Sequence, residues 1–160
     1  MLVRSHLFKP LRRCAADRRG GALVELAFAV PILTGLLVPI IDIGMGLYQK
    51  MQVQDAAQAG AEYAIQSGWN SAAIQSAVTN ATGLPGITAS PAPTNFCGCP
   101  SATGVTVQAG SPPCNMVCSG GILAGTYVTV SATATYTPIL TYPVLGSTVT
   151  LTGQSTVRIQ

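Results

Sequence analysis

Ionisable side chains are scarce in this chain and almost missing from its second half. Beyond Glu62 there is no Asp, Glu, Lys or His, and Arg158 is the only charged residue. General acid–base chemistry needs a His, carboxylate or Lys close to the reacting proton. A nucleophilic Ser or Cys needs an adjacent base. Neither is available over the last hundred or so residues, which argues against an enzyme; we assign no catalytic residue, cofactor, metal or nucleotide site. The single histidine, His6, lies near the N-terminus.

The charge that exists is badly spread. Six of the eight basic residues (Arg4, Lys9, Arg12, Arg13, Arg18 and Arg19) precede residue 20, with Asp17 the only acid among them. The net charge of +3 therefore belongs to a leader and not to a folded surface, so a nucleic-acid partner is not expected. A basic flank before an apolar span is the positive-inside signal. It places the N-terminus in the cytoplasm and the rest of the chain across the membrane.

The apolar run is long. Residues 26–41 hold no charge, and 22–48 read as one helix interrupted only by Glu25 and Asp42. About 20 apolar residues cross a bilayer, so the longer segment suffices. An ordinary signal peptide fits less well, because no A-x-A cleavage site follows the run. The arginine pairs also raise a twin-arginine signal, although such pairs are common in basic leaders. Pro31 and Pro39 each remove a helical donor and free the carbonyls of Ala27 and Gly35. Asp42, near the outer end of the span, is expected to be hydrated at the interface, with pairing inside a helix bundle as the alternative.

After the span the pattern turns amphipathic. Val53, Ala57, Ala61, Ala64 and Ile65 fall near one face, and Gln54, Gln58, Glu62 and Gln66 form a second stripe. Ala56, Gly60 and Ala64 make a small-residue row suited to close helix approach, either to another helix or to the chain's own domain. Gly68 ends the helix, and Asn70 caps a short second one over 71–79. Residues 83–125 are turn-rich, with one candidate strand at 105–108. The tail is β: Val128, Val130, Ala132 and Ala134 alternate with Thr or Ser, and Val149, Leu151, Val157 and Ile159 repeat that parity. An antiparallel pair with one buried face follows, with Gly153 as a candidate bulge.

Four cysteines lie beyond the span: Cys97, Cys99, Cys114 and Cys118. An exported compartment oxidises thiols, and an even count fits two disulfides. Bridging Cys97 to Cys99 would strain a one-residue loop, which leaves a nested or a crossed pairing between the two segments. Either would stabilise a small domain by about 3 kcal/mol per bridge. A four-thiolate zinc site is the rival, but the spacing lacks the paired C-x-x-C and the compartment is wrong.

One short element remains. Arg18-Arg19-Gly20-Gly21 is followed by Glu25 at the head of the apolar helix. A carboxylate inside a membrane-length helix is costly and asks for a partner. The bland reading hydrates it beside Arg18 and Arg19. The alternative is a cut between Gly20 and Gly21, which would make Glu25 the fifth residue and create a cationic amine in its layer. This element resembles the processing site of type IV pilin precursors. Together with Pro31, Ile41-Asp42-Ile43-Gly44, Leu47-Tyr48, Val53-Gln54-Asp55-Ala56-Ala57 and Gly60-Ala61-Glu62-Tyr63-Ala64, the chain is similar to the TadE-like pseudopilins of tight-adherence (type IVc) pili. Leu26 and Ile41-Asp42 depart from the usual pattern, which has an aromatic after the glutamate and a Glu-Phe pair.

The resemblance implies an α+β, pilin-like fold: a long membrane-spanning helix, then a small antiparallel β domain with a disulfide-stapled loop. The expected divisions are a cleaved leader at 1–20, the span at 21–48, an amphipathic helical region at 49–82, and an exported domain at 83–160. It implies an inner-membrane precursor, N-terminus inside and C-terminal domain periplasmic, that a prepilin peptidase cuts at Gly20/Gly21. The product would enter pilus assembly, Glu25 pairing with a neighbouring subunit's amine. Its partners would be the main pilin, sister pseudopilins, the membrane platform and the bilayer. The rival function is an unprocessed single-pass module whose β domain binds a ligand or surface.

Overall fold

The computed structural model describes residues 20–110, 112, 114–140 and 146–159. The basic leader, except Gly20, lies outside the described residues, as do His6, Cys14 and Pro143. The elements in chain order are α1 (Gly21–Ser67), α2 (Ser71–Asn80), β1 (Thr94–Ser101), β2 (Gly104–Gln108), β3 (Gly125–Tyr136) and β4 (Val149–Arg158). The fold is α+β, with a four-stranded antiparallel sheet ordered β2-β1-β3-β4 and two disulfides.

Helix α1 continues through Pro31 and Pro39 without interruption. Its best 18-residue window has a mean hydropathy of 2.2 and is only 6% buried. A core helix of comparable hydropathy would be covered by its own domain; this one is long and apolar enough to cross a membrane. The chain divides at Ile41, and Asp42–Gln160 forms its own compact unit.

In that unit the C-terminal part of α1 lies on the sheet. Val53, Ala56, Ala57, Gly60, Ala61 and Ala64 are buried there. They meet Ile74 and Val78 of α2 and Val128, Val130, Ala132 and Ala134 of β3. The alternating tail thus puts its apolar parity inside. Small residues on α1 let it sit close to the sheet. A Cβ on Gly60 would come within 2.5 Å of Val78 Cγ2 and 2.9 Å of Val130 Cγ1. The Ala56–Gly60–Ala64 row therefore serves the chain's own core. Ile65, expected on the same face, is 54% exposed, because it lies round the helix from that row.

Gly153 is not a bulge. The β3–β4 register runs unbroken through Ala132↔Gly153. The glycine is needed because a helix crosses there: a Cβ would stand 2.7 Å from the Val53 carbonyl oxygen and 2.8 Å from Gln54 Cα.

Helix α1 stops at Gly68, which has a φ of 78° and an N–H bonded to the Ala64 carbonyl at 3.0 Å. Asn70 then caps α2, its side chain accepting from Ala73 N–H at 3.1 Å. The turn-rich stretch contains a strand the sequence pattern did not mark. In β1, Gly98 and Pro100 resemble turn residues. Pairing with β3 ends at Gly98, so Pro100 has only β2 as a neighbour and its missing donor is tolerated.

Candidate functional site

Among the described residues, nothing packs over the head of α1. Gly20 forms a short turn and Gly21 begins the helix, and a Cβ on either would meet nothing within 4 Å. Glu25 is exposed. Around it Leu23, Val24, Leu26 and Phe28 are 71%, 57%, 58% and 70% exposed. A helix that is apolar all round and not covered by other described residues is suited to lipid or to other helices. Glu25 stands one turn from Gly21, about 6 Å along the axis. A free amine at Gly21 and this carboxylate would occupy one layer, the geometry needed for a charge pair in a low-dielectric slab.

Asp42 has a different place from the one expected. It is 1% exposed, neither hydrated nor in a helix bundle. Its carboxylate accepts from the Tyr136 hydroxyl, from Ile139 N–H at 3.0 Å and from Leu140 N–H at 3.4 Å. The Tyr136 hydroxyl also donates to the Asp42 carbonyl at 2.8 Å. One helical carboxylate thus ties down the end of β3 and the chain leaving it. Gly46, one turn on, leaves room for the Tyr136 ring, which a Cβ there would approach to 3.3 Å. A lone acid in an apolar run, with no cation within a helical turn, was the available signal. Its partners lie 94 to 98 residues away, where sequence spacing says nothing.

Two further polar side chains of α1 secure β4. Lys50 Nζ donates to the Thr152 carbonyl at 2.8 Å. Gln54 makes a two-way pair with Gln154, donating from Nε2 to its carbonyl at 2.9 Å and accepting its N–H at Oε1 at 3.3 Å. These contacts occupy backbone groups on an edge strand that would otherwise invite another strand.

The cysteines form Cys97–Cys114 and Cys99–Cys118, with Cα separations of 5.5 and 5.7 Å. The pairing is crossed. Cys97 and Cys99 are two residues apart on β1 and so project to one face, which brings both against the 114–124 segment. Ala124 packs with Cys99 and Cys118, and the Cys114 sulfur lies 3.5 Å from Thr126 Oγ1. Among the described residues, no group of three or more His, Cys, Asp or Glu is placed to hold a metal ion.

The candidate residues therefore fall in separate places. Gly20, Gly21 and Glu25 share the exposed head of α1, and the four cysteines tie β1 to the 114–118 segment. Residues 20–62 match the family model described as TadE-like protein, a span beginning at Gly20 and including Glu25 and Asp42. No curated protein and no solved structure gives a significant match.

Proposed function

From the TadE-like segment at 20–62 we propose that this chain is a minor pseudopilin of a tight-adherence pilus, made as an inner-membrane precursor and cut between Gly20 and Gly21 by a prepilin peptidase. The observation that carries the reading is the glycine pair and Glu25 at the uncovered head of an apolar helix. In the cut, water adds to the Gly20 carbonyl and the amide bond breaks. Gly20 leaves as a carboxylate and Gly21 keeps the amine. The helix then starts with a cation one turn from an anion. Opposite charges 4 Å apart attract by about 4 kcal/mol at an effective dielectric of about 20. Pairing with a neighbour's opposite charge therefore favours side-by-side helices in the membrane.

In this reading the C-terminal domain is periplasmic, and the main pilin, sister pseudopilins and the assembly platform are the partners. An unprocessed, membrane-anchored binding module is the second reading. The exposed Val117, Ile122 and Leu123 on the stapled segment favour it, as apolar side chains available to a ligand or surface. The mature N-terminus separates the two. Peptidase-dependent appearance of a chain starting at Gly21 supports the pseudopilin, and Glu25→Ala should then still be cut but fail to enter pili. A chain retaining Met1 in cells with active peptidase supports the anchored module.

A further inference from the structure

We propose that the chain leaving β3, residues 138–140, together with Ile43 and Leu47 of α1, is a lipid-contacting surface seated in the outer interface of the bilayer. The inference rests on the reading that the head of α1 crosses that bilayer.

Depth comes first. Asp42 is 21 residues beyond Gly21, about 32 Å of helix at about 1.5 Å per residue. That equals the hydrocarbon thickness of about 30 Å. The Asp42 carboxylate holds the peptide groups of Ile139 and Leu140. Those two residues are therefore fixed at the level where the helix leaves the hydrocarbon. Their side chains are open: Ile139 is 62% and Leu140 40% exposed, and on α1 Ile43 is 59% and Leu47 62% exposed. An apolar groove of about 360 Å³ runs along Ile43 and Leu47 and is lined also by Lys50, Pro138, Val149 and Leu151.

Backbone satisfaction comes second. A non-helical segment tolerates membrane depth only if its polar groups are paired within the protein. Two peptide N–H groups at 139 and 140 are bonded to a carboxylate withdrawn from water, and the Tyr136 hydroxyl is bonded beside them. The sequence 137–146 has no charged residue. The first cation after the span is Lys50, about 12 Å farther along the helix. Tyr48, 59% exposed, lies between these levels, where tyrosines favour the headgroup layer.

The test uses the full chain in phosphatidylethanolamine/phosphatidylglycerol vesicles, with and without a lipid brominated near the top of its acyl chains. Trp69 is the only tryptophan. In a Trp69→Phe background, Ile139→Trp and Leu140→Trp report on the surface. Thr103→Trp reports on the distal β1–β2 turn, and Phe28→Trp on the span. A ring about 5–10 Å into the headgroup–acyl boundary should give blue-shifted emission and roughly twofold quenching at 139 or 140, with none at 103. Quenching at 28 but at neither 139 nor 140 overturns the surface and leaves the span. A blue shift at 139 without quenching also overturns it, since a protein neighbour would then cover the loop. Equal quenching at 103 and 139 means the whole domain adsorbs, which overturns the assignment. No quenching at 28 or 139 overturns the span and the surface together.

Discussion

Removing the Asp42 carboxylate should loosen the compact unit Asp42–Gln160 far more than its position at the edge of an apolar helix suggests. Three described donors converge on it: Tyr136 hydroxyl, Ile139 N–H and Leu140 N–H. A hydrogen bond to a charged group contributes about 1.5–3 kcal/mol, and an orphaned buried donor costs about 1–3 kcal/mol. The losses do not add fully. Ile139 and Leu140 are only partly buried and can recover water, and Tyr136 keeps the Asp42 carbonyl at 2.8 Å. The expected net cost of Asp42→Ala is about 3 kcal/mol. At about 1–3 kcal/mol per molar urea, the unfolding midpoint should fall by about 1–3 M. Asp42→Asn keeps the size and an acceptor oxygen and should lose about half as much. The measurement is urea unfolding of the full chain in detergent micelles, followed by near-UV circular dichroism of the tyrosines. A midpoint change under about 0.3 M for the alanine variant would refute the anchoring role of Asp42.

Gly153→Ala should cost about 2–3 kcal/mol in the same assay, because its methyl group meets helix backbone that cannot rotate away. A change within about 0.5 kcal/mol would mean that α1 does not cross β4 so closely. The disulfide pairing predicts an order of stabilities. Cys97→Ser/Cys114→Ser removes one bridge, about 3 kcal/mol, whereas Cys97→Ser/Cys118→Ser breaks both and should fall by about 3 kcal/mol more. The reverse order would show nested bridges.

Much of the architecture was readable because its signals are local or periodic. The end of α1 at Gly68 and the Asn70 cap follow from residue chemistry within a few positions. The last two strands follow from alternation. The sequence left open what depends on long-range placement. The small row Ala56–Gly60–Ala64 permits a close neighbour but does not say which one; Val78 and Val130 supply it. Gly153 could mark a bulge or a crossing helix, and only the approach of Val53 and Gln54 decides between them. The strand β1 was hidden because Cys, Gly and Pro are poor strand formers. It is held by two neighbours and two bridges, not by propensity. Asp42 was seen but misplaced, since a helical pattern cannot reveal a partner on a strand. The Gly20–Gly21–Glu25 element stood out in sequence, and its exposed setting explains why: with no partner packed against it among the described residues, its chemistry is confined to the local motif.

The mature N-terminus is the most direct test of the pseudopilin reading. Mass spectrometry of the protein isolated from membranes, from cells with and without their prepilin peptidase, should find Gly21 as the first residue only when the peptidase is present. A chain beginning at Met1 in both, or cut beyond the apolar run independently of the peptidase, would contradict it.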